Sequence, residues 1–559
     1  MNYFLLYSTS LIIVFSIIGY GFILSRIVNK ELSNFNLGYI GLLGLLFLVI
    51  ISYSTIFFTK HNYFHNLILH SIGIVAFFFY VNKKKLNKDI IKLILLFTIL
   101  FSGLLLIRNH DDFNYYHFTY SLGLTENKLF LGLGNFQHGY KHHSSIFFLN
   151  SVIYLPFIKY YLFHSISWIT LIFVNYIILE FILKNDNLKK LDFKLIFYIT
   201  TLLFINFKFY RIGGHGTDIS GQLILFILIP LIYSSIKNKK FEVNIDLIIL
   251  LITYVTTLKS FFILSFVFLF IFIYFFKIKK LFNYLLKSKA ILISFLALSL
   301  LTTINIAYTG CAIYPIKQSC FFEKLSWTIK KEHVEHLSQW YELWSKSGAG
   351  PNYGVENHEE YIQKFNWVNN WYERYFEYKG LETLGGIFIL LILLLFIFYS
   401  KNIKPPDKKN RKIVIFLYLL TFILFFEWFY NRPSLRYGGY YLFCFIFFIP
   451  FSYFISNFKI NFNRTKKSVI SLIILSFLLF NYKNFTRINN EIDMVKDNNF
   501  PLFYAPVQKY KTITLNDGIK VYVPLDGDGC YVTKTPCVSG TNHISAKKQF
   551  GFLVFNNKN

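Results

Sequence analysis

A chain of 559 residues that is 55% hydrophobic and 21% aromatic, with mean hydropathy +0.46, is too apolar for a soluble protein of this length. Only 15% of its residues are charged, against about 25% in soluble domains, and the membrane class follows. The formal charge of +28 and pI near 9.5 would suit a nucleic-acid partner, but the basic residues are mostly lysines in short clusters between apolar runs, the positive-inside pattern of a multi-pass membrane protein, so nucleic acid is not expected.

The first apolar run, Tyr3 to Leu24, has no positive charge before it, and Arg26 and Lys30 follow it. That order is the reverse of a cleavable signal, so the run is expected to stay as a helix with its N-terminus outside. Leu37 to Phe58, Leu67 to Val81 and Ile90 to Ile107 follow, each near the length of a bilayer crossing. Later runs lie at Tyr161 to Leu183, Leu195 to Phe207, Ile219 to Ile236, Ile245 to Leu258, Phe261 to Phe276, Ala290 to Tyr308, Leu384 to Tyr399, Ile413 to Tyr430, Tyr440 to Phe458 and Val469 to Asn481. The expected fold is mainly α, polytopic, with about fourteen transmembrane helices.

Lysines check that count. Lys83 to Lys88, Lys184 to Lys194, Lys237 to Lys240, Lys277 to Lys289, Lys401 to Lys412 and Lys459 to Lys467 mark alternate loops, which are therefore assigned to the cytoplasm. Both termini are then outside, as are 108–145, 208–218, the turn at Lys259, 309–382, 431–439 and the tail from Tyr482. The chain divides accordingly into N-terminal helices (1–107), a first large outer loop (108–160), central helices (161–308), a Trp-rich outer loop (309–382), C-terminal helices (383–481) and a small extracytoplasmic domain (482–559).

The first outer loop opens with Arg108 to His117 (RNHDDFNYYH), where adjacent carboxylates sit among histidines at a membrane boundary. A carboxylate there can take the proton of an attacking hydroxyl or hold a divalent cation beside a phosphate; it can equally do no more than meet a helix dipole. In a helix, Asp112 and Tyr116 share one face, and His110, Asn114 and His117 share another. Glu126 to Phe157 suits helices lying in the interface, and His138, His142 and His143 are candidate metal ligands without an ordered set of partners.

Further along, Arg211, His215 and Asp218 (RIGGHGTD) follow the sixth run, with N-capping as the plain role for Asp218. Lys259 interrupts two apolar runs, and snorkelling is its plain role. Arg436 lies in EWFYNRPSLRYGGYY, where a fixed guanidinium can bind phosphate or anchor a helix to headgroups. Residues 309–382 hold five of the seven tryptophans, which form an aromatic belt or stack on sugars. Cys311 with Cys320 and Cys530 with Cys537 are either local disulfides or free thiols. The tail contains an alternating hairpin, Thr512 to Val523, turning at Asn516-Asp517-Gly518. Asp526-Gly527-Asp528-Gly529 is read as a turn, not a calcium loop. The chain contains no P-loop, HExxH or GxSxG motif.

Taken together, Tyr116-His117, Gly132-Leu133-Gly134-Asn135, Ser144-Ser145, Thr217-Asp218, Tyr308-Thr309-Gly310, Tyr314-Pro315, Arg432-Pro433 to Arg436 and Gly529-Cys530 to Pro536-Cys537 resemble a family of uncharacterised bacterial polytopic membrane proteins. That family in turn resembles the GT-C superfamily of membrane glycosyltransferases, which use polyprenyl-phosphate sugars and keep an acidic motif in the first large outer loop. In that superfamily the motif follows the first crossing; here it follows the fourth. The resemblance implies transfer of a sugar from a polyprenyl-phosphate donor to a glycan or lipid acceptor at the outer face of the bacterial inner membrane. By that resemblance Asp111 or Asp112 takes the acidic-motif role; read from the residues themselves, Asp111, Asp112 and His117 would be catalytic, and Arg436, Arg211 and Lys259 would bind the donor phosphate. Asp218, His215, Asn135 and His138 would support them, and Asp112 with Asp218 would hold any divalent cation. A polymerase or ligase of lipid-linked polysaccharide would depend on outer-loop arginines, of which 309–382 offers only Arg374. A transporter or flippase would use Asp111, Asp218 and Lys259 as buried pathway charges.

Overall fold

The computed structural model describes residues 3–106, 109–136, 138–237, 241–348, 355–403, 405, 407–492, 507–527, 529–540, 544–549 and 551–557. Of the residues singled out above, Ile107, Arg108, Lys239, Lys240, Lys404 and Asp528 lie outside the described residues. The protein is predominantly helical, and among the described residues ten helices are long and apolar enough to cross a membrane, which makes it a multi-pass membrane protein. They are Tyr3–Val28, Leu37–Thr55, Tyr63–Lys84, Ser165–Ile182, Ile219–Lys237, Lys289–Thr309, Val368–Phe398, Lys408–Asn431, Gly439–Ser456 and Phe462–Ile492. The other four expected crossings are helical too, as Asn87–Ile99, Phe193–Lys208, Phe241–Leu258 and the segment Ser260–Phe275. Asn87–Ile99 has 13 residues and Phe193–Lys208 has 16, about 20 and 24 Å at 1.5 Å per residue, short of a ~30 Å hydrocarbon core.

Leu37–Thr55, Ser165–Ile182 and Ile219–Lys237 form the buried centre, while Val368–Phe398 and Phe462–Ile492 leave most of their apolar surface facing outward. Lipid accounts for that difference: a helix apolar on all sides is equally at home against protein or acyl chains. The first three helices approach closely through glycine. A side chain at Gly21 would collide with the carbonyl of Ile40, and one at Gly19 with the carbonyl of Gly73. Small residues at such crossings let helix backbones meet where no hydrophobic force separates protein from lipid.

The lysine-rich loops gather at one end of the bundle. Lys84 donates to Ser33 Oγ at 2.9 Å, Tyr284 Oη donates to Asp246 Oδ2 at 2.6 Å, and Lys459 N donates to the Asn402 carbonyl at 2.8 Å, so loops from distant parts of the chain share this face. The acidic motif and Asp218, Lys259 and Arg436 lie at the opposite helix ends.

Residues 126–157, expected to lie in the interface, are mostly buried against the rest of the protein. The Ser145–Val152 helix has no exposed residue, and Phe157 is the large apolar side chain here that stays exposed. Beyond the last long helix, β1 (Tyr510–Thr514) pairs antiparallel with β2 (Lys520–Pro524) about the expected turn, where Asp517 and Gly518 take positive φ. A second hairpin joins β3 (Ile544–Gln549) to β4 (Phe552–Asn557). This small region is fastened to the first loop: Leu131 exchanges main-chain bonds with Leu553 and Phe555, and Glu126 accepts from Thr535 N and Oγ1 at 2.9 and 2.6 Å.

Candidate functional site

Four helix ends bring four charges into line. Asp112 stands in the first turn of the helical stretch that runs from Asp111 through Phe118–Glu126. Asp218 immediately precedes Ile219–Lys237, Lys259 immediately follows Phe241–Leu258, and Arg436 sits in the short turn Leu435–Tyr437 between Lys408–Asn431 and Gly439–Ser456. Arg436 Nη2 donates to Asp112 Oδ2 at 2.7 Å and its Nε donates to Asp218 Oδ2 at 2.7 Å, while Lys259 Nζ lies 3.2 Å from Asp218 Oδ1. The guanidinium fork suits this bridging, since it offers two separate N–H directions to two acceptors.

Burial alone would raise both carboxyl pKa values. Burial is the largest single influence on each, but at Asp112 the charge and hydrogen bond of Arg436 with His110 and His117, and at Asp218 those of Lys259 and Arg436, together outweigh it, and both acids are held down at about 2. Burial pulls Arg436 down, but Asp218, Tyr437, Asp112 and Tyr116 together outweigh it and raise it well above the usual arginine range. The histidines go the other way. Burial followed by Arg436 lowers His110, burial lowers His117 well below its ordinary value, and burial brings His138 to about 4. At neutral pH two anions and two cations therefore cancel, among uncharged imidazoles.

The segment after Asp112 departs from the helical spacing expected of it. Phe113–His117 is a π-turn, in which Phe118 N donates to the Phe113 carbonyl. The wider turn stacks His117 on His110, with ring centroids 6.0 Å apart and planes 18° apart. His110 Nδ1 accepts from Asp112 N at 3.1 Å, which sets its tautomer with the proton on Nε2. His117 Nε2 is buried without a hydrogen-bond partner among the described residues.

Asp112, Lys259 and Arg436 line a cavity of about 480 Å³ together with His138, His142, Tyr116, Tyr341 and Tyr437. Leu264, Leu301, Leu424 and Leu442 give it an apolar side, and Trp340 and Trp344 form part of its wall. Its imidazoles are tied together: His142 Nε2 lies 3.3 Å from His138 Nε2 and 2.5 Å from Tyr341 Oη.

The expected residues divide into two groups. Asp112, Arg436, Lys259, Asp218 and His138 converge, with His117 behind Asp112. Asp111 is exposed and does not line the cavity. Arg211 belongs to another cluster, with Nε 3.8 Å from Glu491, which also pairs with Arg487 at 3.1 Å. His215 packs edge-on against Phe209 at 5.1 Å and is lowered to about 3, by burial and then Lys208. Asn135 is a structural clip: its Nδ2 donates to the Trp327 and Phe555 carbonyls at 2.9 Å each, and its Oδ1 accepts from Asn557 at 2.8 Å. Arg374 packs beside Gly348, away from the cavity.

Asp112 and Asp218 do not fit a divalent-cation site. A guanidinium already joins them, Lys259 neutralises the second oxygen of Asp218, and among the described residues no group of three or more His, Cys, Asp or Glu is placed to hold a metal ion.

Gln222 is a site residue that the sequence reading missed. One helical turn after Asp218, it donates through Nε2 to the Arg436 carbonyl at 3.1 Å and accepts from Tyr441 N at 3.2 Å. Asp218 thus holds the head of the arginine and Gln222 its backbone. Two tryptophans, from the outer loop and from the preceding long helix, hold the same turn. Trp371 Nε1 donates to the Pro433 carbonyl at 2.7 Å and Trp428 Nε1 to the Ser434 carbonyl at 2.9 Å, while Tyr375 Oη accepts from Leu435 N at 2.8 Å. Trp371 and Trp367 are buried, so neither belongs to a lipid-facing belt. An amide one turn from an aspartate inside an apolar run was the available signal for Gln222.

No curated protein and no solved structure matches the chain. A family model described as a domain of unknown function, DUF8201, matches residues 1–443, a stretch that includes Asp112, Asp218, Gln222, Lys259 and Arg436. The chain belongs to the DUF8201 family, a result in keeping with the resemblance to an uncharacterised family and silent on chemistry.

Proposed function

We propose that this protein is a GT-C-like membrane glycosyltransferase of the bacterial inner membrane, moving a sugar from a polyprenyl-phosphate donor to a glycan or lipid acceptor in cell-envelope glycan assembly. The observation that carries the reading is the Asp112–Arg436–Asp218–Lys259 ladder at the rim of a half-apolar cavity, at helix ends remote from the lysine-rich loops. By the positive-inside rule that end is extracytoplasmic, and both termini lie with it. The bonded pairs Cys311–Cys320 and Cys530–Cys537 suit the same compartment. Charges at helix termini favour surface chemistry over the mid-span pathway that a flippase needs.

The donor phosphate takes Arg436 and Lys259 as its cationic partners, with the prenyl tail along Leu264, Leu301 and Leu424 and the acceptor beside Trp340 and Trp344. In accepting Arg436 Nη2, the phosphate releases Asp112. Burial, which pushes that carboxyl upward, is then less opposed, and Asp112 becomes a better base. The acceptor hydroxyl gives its proton to Asp112 as its oxygen bonds to the anomeric carbon. The bond from that carbon to the phosphate oxygen breaks, and the polyprenyl phosphate leaves with its charge on Arg436 and Lys259. The configuration at the sugar inverts.

Transfer from a polyprenyl-phosphate sugar in membranes carrying Asp112→Asn or Asp111→Asn tests this. Asp112→Asn is expected to lose about 100-fold or more in rate, and Asp111→Asn to stay within about twofold of the parent, as for an exposed side chain off the site. Full activity in Asp112→Asn, with insertion unchanged, removes the reading.

A further inference from the structure

The lysine-rich end of the bundle holds a second cavity, of about 570 Å³, which shares no lining residue with the first. It lies between the starts of Leu37–Thr55 and Phe193–Lys208 and the ends of Ser165–Ile182 and Ile219–Lys237. Its two carboxylates are already matched: Asp89 Oδ1 lies 2.9 Å from Lys92 Nζ, and Glu180 Oε1 lies 3.1 Å from Lys184 Nζ.

Two ammonium groups on its wall have no carboxylate within 4 Å among the described residues. Lys194 Nζ sits 4.3 Å from the ring centre of Phe181 and 5.5 Å from that of Tyr198, and makes no hydrogen bond or ion pair among the described residues. Lys84 Nζ donates to Ser33 Oγ at 2.9 Å, to Asn34 Oδ1 at 3.1 Å and to the Ser33 carbonyl, all of them neutral oxygens. Ring faces and neutral oxygens recover only part of the hydration that a cation gives up when it is enclosed. The Tyr39 and Tyr198 hydroxyls, 3.4 Å apart in the same wall, add neutral donors. The wall therefore offers strong donors and positive charge at short range, with Asp192 and Glu180 reaching Lys194 only from beyond ion-pair distance.

We propose that this second cavity binds an anionic phosphate group, held between Lys194 and Lys84 with the tyrosine hydroxyls as further donors. The group is either the headgroup of an anionic phospholipid in the adjoining leaflet or a phosphate from solution. The site stands apart from the transfer reading and does not depend on it.

Full-length protein purified in a phosphate-free maltoside detergent is titrated with inorganic phosphate, with a short-chain phosphatidylglycerol and with the net-neutral phosphatidylcholine of the same length. Bound species are counted by native mass spectrometry, and affinity is read from the shift of the unfolding midpoint. The parent is expected to bind one phosphatidylglycerol or one phosphate more tightly than phosphatidylcholine, and the species that binds names the source. Lys194→Met and Lys84→Met should each weaken that binding about tenfold, the loss of one charge-assisted hydrogen bond. Lys194→Arg should largely preserve it, and Lys279→Met, at an exposed position of the neighbouring surface helix, should leave it unchanged. Parent protein that binds neither anionic probe in preference to phosphatidylcholine overturns the proposal, as does Lys194→Met binding as tightly as the parent. Should Lys194→Met fail to fold, Lys84→Met decides by the same criterion.

Discussion

The bridging role of Arg436 can be measured by a double-mutant cycle with Asp218. Arg436→Gln leaves Asp218, 1% exposed, with Lys259 as its remaining cation, and leaves Asp112 without its guanidinium. Removing one partner of a buried pair costs about 3–5 kcal/mol; because Lys259 stays and Asp112 is 30% exposed, the low end applies, about 3 kcal/mol. Asp218→Asn removes the opposing acceptor while Arg436 keeps Asp112, a loss of about 2–3 kcal/mol, typical of a hydrogen bond to a charged group. In the double variant neither charge is stranded by the absence of the other. The combined loss should be about 3 kcal/mol instead of the 5–6 that independent effects would sum to, which gives a coupling of about 2–3 kcal/mol. Denaturant unfolding of the purified protein in detergent, followed by tryptophan fluorescence, provides the readout, since Trp371 and Trp428 donate to the loop that carries Arg436. If the two single losses add to within about 0.5 kcal/mol, Arg436 and Asp218 do not act as one unit and the ladder is a coincidence of proximity.

Two other outcomes follow from the same geometry. Gln222→Leu leaves the Arg436 carbonyl and Tyr441 N without their side-chain partner, so it should lower stability by about 1–3 kcal/mol and weaken polyprenyl-phosphate binding, seen as a lower unfolding midpoint and a higher Kd. Asp112 and Asp218 are held at about 2, below the ordinary aspartate value near 4, so their stabilisation is complete above that value and is lost as pH falls from about 4 towards 2. The unfolding midpoint should decline from about pH 6.5, as the unfolded chain takes up protons that the buried histidines refuse, and fall further below about 4 as the aspartate contribution is lost; in Arg436→Gln, whose Asp112 has lost its cation, that second fall should begin at higher pH.

Hydropathy and lysine spacing made the membrane class readable, because both follow from the cost of placing charge in lipid, and among the described residues each of the fourteen apolar runs contains helix. The lengths were less legible: Asn87–Ile99 stops at 13 residues because the chain passes into a short 3₁₀ turn at Phe101–Gly103, which no periodicity announces. Sequence drew attention to Asp112, Asp218, Lys259 and Arg436 as unusual charges, and these four side chains do meet at one set of helix ends. It could not tell Asp112 from Asp111, because a single position around a helix start decides which carboxylate faces the cavity. Arg211 and Asn135 looked equally suitable by residue type, yet tertiary packing turned Arg211 towards Glu491 and Asn135 towards β4. The indole N–H groups of Trp371 and Trp428 were hidden in a composition that reads as an aromatic belt, since aromatic content does not reveal which ring donates inward.

The ladder also sets the order, during synthesis, in which its charges can find one another. Asp218 and Lys259 bracket one helical hairpin, Ile219–Lys237 with Phe241–Leu258, and so can neutralise each other as soon as that hairpin is inserted. Asp112 emerges long before its counter-ion and must wait for Arg436, supplied only by the turn before Gly439–Ser456. Until that turn arrives, the growing chain carries an unmatched acid at its rim. Arrival of the arginine is therefore what matches that acid, ahead of the last two long helices and of the hairpin region that fastens to the first loop.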